Sequence, residues 1–574
     1  MSASRVVMGI TAFNHDSSAC IITDGRVVAF AEEERFTGVK HTSAFPGRAI
    51  KYCLEEAGLS ERDVTDVAFY FDLKECWKSY FRNNHPVKYL RDPSTWRRRR
   101  YFYQLAWLSN FTVNVWSIRR RLSGTKLRIH YVPHHLAHAW YGYFASGLTD
   151  CIVLSNDSVG EQTATLAIQF SERDGKITTQ TLFEQSDPHS LGYLYGAVTE
   201  HLGFTRGEGE GRVMALASFA KRPLAKPFDD GIKLLPHGQF RIRRSLLLGR
   251  SFQPRGERLS RAAVEAFGPA RQRDGELASR HYNLAAGVQH ALKRVGFHQL
   301  DYLTQLADNV VLVGGVAQNS VFNGQATERY PTKLILVPPI PHDAGASLGA
   351  AVHVWYQIAG HLPERTETAF LGPKYSTQSV EERLANNQLH SHKLSDSVGF
   401  MVDELAAGRT VAVFRGRMEG GPRALCNRSI IANPATASMR DHLNHHVKYR
   451  EDFRPYGGFM LASRLPEVLV HSNRHRQGPY MSYVYLVKPE WRDKIPSLVH
   501  VDQTCRIQIV PDDAGWLADL LRAFESRTGV PVLINTSMNL RGYPIARTPE
   551  DALATFYTSA IDHLVFNDEL VVSK

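Results

Sequence analysis

Apolar positions near the start of the chain come in short β-rich runs, RVVMGITAFNHDSSACIITDGRVVAFAEEERF, separated by turn-forming residues. Val6 to Ala12, Ser18 to Thr23 and Arg26 to Glu32 predict three strands, and Asp24-Gly25 predicts a tight hairpin between the last two. The pattern returns in DCIVLSNDSVGEQTATLAIQFSERDGKITTQT. There Ile152 to Asn156 and Thr163 to Phe170 predict strands, and Asp174-Gly175 turns the chain into a third. Both copies run strand, Asp-Ser (Asp16-Ser17, Asp157-Ser158), strand, Asp-Gly-basic, strand. Helical patterns such as GRAIKYCLEEAGLS and LGYLYGAVTEHLGF lie between and after the copies. The duplication predicts two related α/β lobes facing each other.

A different period governs PHHLAHAWYGYFAS, residues 133–146. Pro133 suits the first turn of a helix, and Leu136, Ala139, Trp140, Tyr143 and Phe144 then share one apolar stripe. On that helix His134 and His138 stand at i and i+4, so both rings can reach one metal ion. The same residues also read as satisfied core or surface histidines. Two imidazoles do not close a site, and the choice rests on whether the chain supplies further ligands.

Further along, ADNVVLVGGVAQNSVFNGQ predicts a buried strand, a glycine pair and a helix start suited to an anion or nucleotide. PPIPHDAGASLGAAVHVW predicts a loop, His342-Asp343 and a helix opened by small residues. Periodicity stops around AGHLPERTETAFLGPKYSTQ, which predicts an inter-domain boundary. The expected domains are residues 1–361 and 372–574, the second alternating strands and helices.

At 574 residues the chain is too long for one core. Six scattered cysteines form no CxxC pair, which points away from a disulfide framework or zinc cluster and towards reduced cytosolic thiols. The start MSASRVVMGI has no signal-peptide anatomy and no apolar run reaches membrane-spanning length, so a cytoplasmic protein without a membrane partner is expected. The excess of 68 basic over 57 acidic residues suits anionic ligands. Part of it is local, in Arg97 to Arg100 and Arg119 to Arg121. These read as solvated helix ends or, alternatively, as an RNA-contacting arm.

Two aspartates extend the histidine pair. Asp157 ends a predicted strand, and Asp343 precedes the helix of small residues. Two imidazoles and two carboxylates would suit Fe(II), Mn(II) or Zn(II) better than calcium, although each aspartate alone also reads as a cap or turn. No Walker A pattern is present, and GEGEGR (Gly207 to Arg212) is a weak glycine signal for an anion-binding loop. In the second domain Arg415, Arg417, Arg423, Arg428, Lys448, Arg450, Arg454, Arg506 and Arg541 fall in turn-rich segments. Arginine forks match phosphate oxygens, which makes a carbonyl phosphate or nucleotide the natural guest. Surface salt bridges are the other reading for part of this set.

The motifs FNHDSSAC, FAEEERFTGVKH, PHHLAHA, NDSVGE, GEGEGRVMALA, VGGVAQN, PHDAGASLGAA, GRMEGGPRALCNRS, KYREDFRPY, HVDQTCRIQ and NTSMNLRGYPI occur in this order. Together, from about residue 8 to 570, they resemble the O-carbamoyltransferase family of antibiotic biosynthesis and nodulation, the NodU/CmcH family. The resemblance implies a fold class of α/β. It gives an N-terminal two-lobed actin/sugar-kinase-like domain similar to the tRNA threonylcarbamoyl-transferring enzyme, and a C-terminal domain similar to threonylcarbamoyl-AMP synthase. It also implies a two-step reaction. Carbamoyl phosphate and ATP would give carbamoyl-adenylate in the C-terminal domain, and the N-terminal domain would pass the carbamoyl group to a small-molecule hydroxyl acceptor.

Carried over motif by motif, His134, His138, Asp157 and Asp343 match metal ligands, with Fe(II) the expected ion and other divalent metals open. His15 and Lys40 match transfer-site residues. Gly314, Gly315 and Asn319 match the nucleotide-contacting loop, with Arg212 beside them. Arg423, Arg428, Lys448, Arg506, Asn535 and Ser537 fall in motifs lining the carbamoyl-phosphate and ATP site. Cys426 stands where glycine is usual, and Arg212 and Ala215 where lysine and glycine are, which bears on loop geometry.

No nucleic-acid partner is expected, and a homodimer is compatible with the sequence. The competing readings are a tRNA-modifying carbamoyl transferase that uses Arg97 to Arg100, and an actin-like ATP-binding switch. The switch leaves the phosphate-suited second domain without a purpose. The acceptor alcohol is not legible.

Overall fold

A computed structural model describes residues 5–83, 95–122, 127–248, 258–470 and 478–574, with only the backbone described at 82–83 and 95–103. The chain divides into two compact units. Unit 1 comprises Met1–Glu33, His41–Gln318 and Thr332–Thr366; unit 2 comprises Glu34–Lys40, Asn319–Pro331 and Glu367–Lys574.

Unit 1 holds two five-stranded sheets. The first consists of β1 (Val6–Thr11), β2 (Ser18–Thr23), β3 (Arg26–Glu32), β4 (Asp66–Phe69) and β5 (Arg128–Tyr131), in the order β3-β2-β1-β4-β5. The second consists of β6 (Asp150–Asn156), β7 (Thr163–Arg173), β8 (Lys176–Ser186), β11 (Asn309–Val313) and β12 (Leu334–Leu336), in the order β12-β11-β6-β7-β8. A small hairpin, β9 (Ile232–Leu234) and β10 (Phe240–Ile242), stands apart from both.

The two sheets have one topology. In each, the first strand pairs antiparallel with a hairpin and parallel with the later strands. Both hairpins turn as their sequence predicts. Asp24 and Gly25 have φ of 49° and 74°, Asp174 and Gly175 of 53° and 73°, the doubly positive pair that a two-residue turn matched to strand twist requires.

Two helices link the sheets, α1 (His134–Ser146) and α2 (Asp343–Ala359). Helix α1 packs on β6, β7 and β11, α2 on β1, β2 and β4, and the two helices pack on each other. The layers therefore run sheet, α2, α1, sheet. Small residues make this possible: a Cβ on Gly349 of α2 would stand 1.8 Å from the carbonyl oxygen of Ala137 in α1. The helices touch backbone to backbone, which only glycine permits. The Ser18 hydroxyl bonds the Ala344 carbonyl and the Ser347 hydroxyl, each at 2.8 Å, fixing the start of α2 against β2.

Unit 2 is built on one nine-stranded mixed sheet: β13 (His392–Lys393), β14 (Val411–Phe414), β15 (Arg428–Ala432), β16 (Gly457–Leu461), β17 (Val484–Leu486), β18 (Thr504–Val510), β19 (Val532–Ser537), β20 (His563–Phe566) and β21 (Leu570–Ser573). Their order is β13-β21-β20-β14-β15-β19-β16-β18-β17. Gly457 of β16 lies opposite both Arg506 of β18 and Asn535 of β19, which puts these two side chains in one row of the sheet. Among the described residues no helix is long and apolar enough to cross a membrane.

Candidate metal centre and phosphate site

Unit 1 brings His134 and His138 of α1, Asp157 just past β6 and Asp343 at the first position of α2 into one buried cluster. One ligand atom from each lies within 4.8 Å of the others. His138 Nε2 is 3.4 Å from both Asp157 Oδ2 and Asp343 Oδ1; His134 Nε2 is 3.8 and 3.7 Å from the same two atoms. These separations are too long for hydrogen bonds. They match the edges, about 3.4 Å, of a tetrahedral shell whose ligands sit about 2.1 Å from a central ion. His138 is fully buried, yet neither ring nitrogen has a hydrogen-bond partner, and His134 Nδ1 also lacks one. Orphaned imidazole nitrogens facing two carboxylates fit a divalent cation. Burial disfavours charge on His138, but Asp157 and Asp343 outweigh it and raise its pKa to about 9.

Neighbouring groups restrain two of the four candidate ligands. Glu161 accepts from the His134 amide (3.0 Å) and the Asp72 amide (2.8 Å), which places a carboxylate at the exposed donors of the α1 N-terminus. Asp157 is aimed by the Gly315 amide on Oδ2 (3.1 Å) and the Ser158 amide on Oδ1 (2.5 Å). Gly314 (φ 85°) lets this loop pass, since a Cβ there would meet the Asn156 carbonyl at 2.2 Å. His135, the third histidine of the turn, donates to or accepts from Ser155 Oγ at 2.8 Å. Burial, then His134 and His138, hold its pKa well below the usual value, so it is a neutral core group.

His15 borders the cluster, its Nε2 3.5 Å from Asp343 Oδ2 and its side chain 42% exposed. Its Nδ1 meets Asp16 Oδ2 at 2.9 Å, and the other Asp16 oxygen meets His41 Nδ1 at 2.6 Å. Burial works against protonation of His15, but Asp343 and Asp16 raise its pKa to about 10. Arg212 lies on the helix Glu210–Ala217 with its guanidinium 5.6 Å from the Phe204 ring centre. Arg206 is fixed nearer the cluster, 5.4 Å over the Tyr193 ring and 3.3 Å from Ser158 Oγ.

Lys40 and Asn319 group with unit 2. Asn319 spends its side-chain oxygen capping the helix Ser320–Arg329, accepting from Phe322 N at 3.0 Å. The phosphate candidates of this unit do not behave alike. Arg423 and Arg506 make no side-chain hydrogen bond or ion pair among the described residues, and Arg506 Nε is buried without a partner. Burial lowers the Arg423 pKa to about 10. Burial, then Arg423, Arg450 and Arg454, push that of Arg506 well down. Lys448 donates to the Ser537 carbonyl (2.7 Å), the Asn539 carbonyl (2.9 Å) and Asn539 Oδ1 (2.6 Å). Burial, then the charges of Arg450, Lys40 and Arg454, push its pKa well below the ordinary lysine value.

Arg428, expected among the phosphate contacts, instead turns inward. Its guanidinium donates to the carbonyls of Arg415, Asn427, Pro373 and Gly416 and stacks 3.7 Å over Phe414. With no accessible surface, it shapes the loop rather than a ligand. Asn535 is likewise buried, its amide nitrogen bonded to the Ala424 carbonyl (3.1 Å) and Gln508 Oε1 (2.9 Å). Ser537 Oγ donates to Asn539 Oδ1 at 2.6 Å. Arg97 to Arg100 fall on the helix Thr95–Trp116, but their side chains lie outside the described residues.

Sequence reasoning missed Glu161, Asp16, His41 and Arg206 as members of the site. A carboxylate four residues past Asp157, within a turn-rich stretch, is the one local signal that could have flagged Glu161.

Unit 1 carries a buried histidine–carboxylate centre, and in unit 2 Arg423 and Arg506 have no side-chain partner among the described residues, an arrangement suited to a group-transfer enzyme. Residues 6–352 match the family model for the carbamoyltransferase N-terminus, and residues 402–574 that for the carbamoyltransferase C-terminus. The chain belongs to the carbamoyltransferase family. It is 31% identical to an uncharacterized protein of Synechocystis sp. over 99% of this chain and 96% of that one. It is also 31% identical to the nodulation protein NolNO of Sinorhizobium fredii, over 98% of this chain and 79% of that one. Among solved structures it is similar to component A of (R)-2-hydroxyglutaryl-CoA dehydratase from Acidaminococcus fermentans (13% identity, 62% of this chain, 100% of that one, TM-score 0.33). It is also similar to HypF of T. kodakarensis (15% identity, 62% and 48%, TM-score 0.30).

Proposed function

We propose that this enzyme is an ATP-dependent O-carbamoyltransferase that moves the carbamoyl group of carbamoyl phosphate, through carbamoyl-adenylate, to a hydroxyl of a small-molecule natural product. The observation that carries the phosphate half is the pair Arg423 and Arg506. Half-buried guanidinium groups without carboxylates, one of them with a buried Nε that has no partner, are costly in the free protein and are offset by an anionic guest. Arg450, Arg454 and Lys40 add positive charge to the same neighbourhood in unit 2. Water enters as carbamoyl phosphate gives up phosphate to leave carbamate; carbamate then displaces pyrophosphate from ATP to give the adenylate.

In unit 1, His134, His138, Asp157 and Asp343 would hold a divalent cation, Fe(II) being the expected one. When bound, such an ion supplies a Lewis acid that polarises a carbonyl oxygen. His15 is the candidate proton acceptor for the acceptor hydroxyl. Asp16 fixes the ring through Nδ1 and leaves Nε2 free to take the proton. The carboxylate of Asp343, which favours its charged form, is one that a cation in the cluster neutralises, so the basic form of His15 accompanies the filled site.

The test supplies carbamoyl phosphate, ATP and a library of hydroxylated metabolites, and follows pyrophosphate and product mass. Pyrophosphate release that depends on carbamoyl phosphate, with a 43 Da gain on an alcohol (about the mass of one carbamoyl replacing one proton,), is expected. Product formation without ATP, or from tRNA alone, would overturn the reading.

A further inference from the structure

The loop that carries Arg423 is folded around a buried carboxylate. Glu419 is 2% exposed, and its Oε1 accepts the backbone N–H groups of Leu425 (2.8 Å), Asn427 (3.2 Å) and Arg428 (3.0 Å). Its counterpart is Arg428, whose guanidinium gathers four carbonyls of the same stretch and of Pro373. One buried carboxyl oxygen thus collects donors, one buried guanidinium collects acceptors, and the chain between them is pinned at both kinds of backbone group. Outside, Arg35 donates to the Gly421 carbonyl at 2.8 Å, and the Asn427 side chain donates to the Arg417 carbonyl at 2.7 Å.

The loop needs such pinning. Cys426 has φ 75°, a left-handed conformation that a side chain other than glycine resists and that persists only where surrounding contacts impose it. The Cys426 amide itself is taken by Ser429 Oγ at 3.0 Å. Arg423, by contrast, makes no side-chain bond to the loop or elsewhere among the described residues. Its placement therefore follows from the backbone of this loop, to which Glu419 contributes three contacts. We propose that Glu419 is a positioning residue: by gathering the amides of Leu425, Asn427 and Arg428 it fixes the loop conformation that presents Arg423 to the anionic substrate. This rests on the phosphate reading of Arg423.

The experiment measures steady-state kinetics with carbamoyl phosphate varied for the full chain, Glu419→Gln, Arg423→Ala and the double variant, with amide hydrogen exchange alongside. Glu419→Gln is expected to raise KM for carbamoyl phosphate about fivefold to tenfold, with kcat within twofold and the acceptor KM unchanged. It should also speed exchange at Leu425, Asn427 and Arg428. Because Glu419 acts through Arg423, the double variant should be no worse than Arg423→Ala alone. A KM within twofold of wild type, or losses that multiply in the double variant, would overturn the inference. An unchanged KM in Arg423→Ala would refute the phosphate reading, while faster exchange in Glu419→Gln would still report the clamp. Should Glu419→Gln fail to fold, the wild-type amides decide: exchange as slow as that of Ile430 and Ile431 supports the clamp, and fast exchange refutes it.

Discussion

Replacing Gly349 by alanine should open the metal centre from behind. The new Cβ would stand 1.8 Å from the Ala137 carbonyl oxygen and 2.7 Å from the Tyr141 amide nitrogen. Both are backbone atoms of α1, so no side-chain rotation relieves the clash. To reach even 3.0 Å, the closest approach real Cβ atoms make, the helices must part by about 1.2 Å. Asp343 travels with α2 and the histidines with α1, which stretches the 3.4 and 3.7 Å separations between them. Metal–ligand distances tolerate only about 0.2 Å, so one of four ligands is effectively lost. Overpacking of this kind costs about 1–3 kcal/mol, and metal affinity should fall at least 10- to 100-fold. Gly147→Ala is the control: it ends α1 with φ 70°, has nothing within 4 Å, and should cost about 1–2 kcal/mol while leaving metal binding intact. Elemental analysis after dialysis and thermal unfolding read the two effects separately. A Gly349→Ala protein with wild-type metal content and melting temperature would refute the backbone contact.

Changing His134 or His138 to alanine should abolish metal binding and carbamoyl transfer yet leave the near-ultraviolet circular dichroism spectrum native; full activity in rigorously metal-depleted enzyme would contradict this. Arg506→Ala should raise KM for carbamoyl phosphate at least tenfold with the acceptor KM unmoved, and equal losses for both substrates would point to misfolding instead. In the metal-free protein His138 has its pKa raised from 6.5 to about 9, so the stability it contributes is fully present below pH 6.5 and lost as pH rises through 9. Melting temperatures of the metal-free protein should therefore decline across that window, and a flat profile would remove the carboxylate contacts from the account.

Short-range patterns made the scaffold legible. The doubled strand–Asp-Ser–strand–Asp-Gly pattern became two sheets of one topology, and the i, i+4 spacing put His134 and His138 beside each other. Local spacing says which residues share a face, but not which faces meet. Asp157 and Asp343 each also read as a turn or a cap; their places at a strand end and a helix start made them candidates, and the resemblance to a family matched them to ligands. Glu34–Lys40 and Asn319–Pro331 group with unit 2 although chain order places them far from it, because packing rather than sequence position decides membership. Arg428 had the composition of a phosphate contact, but a guanidinium also satisfies carbonyls, and the carbonyls of its own loop were nearer. His135 shows the same ambiguity in reverse: one residue from His134 of the cluster, its ring faces the β6 hydroxyl of Ser155.

The four residues of the histidine–carboxylate centre come from three stretches of chain, with roughly 200 residues between His138 and Asp343. An ion held by all four would act as a staple across that span. In the unfolded chain a link of this length removes conformational freedom worth on the order of 5 kcal/mol. Loading would then be a step of maturation as well as of catalysis. A chain whose two sheets have not yet met around α1 and α2 lacks Asp343 beside His134, His138 and Asp157, and it would capture its ion last, locking an assembly already complete.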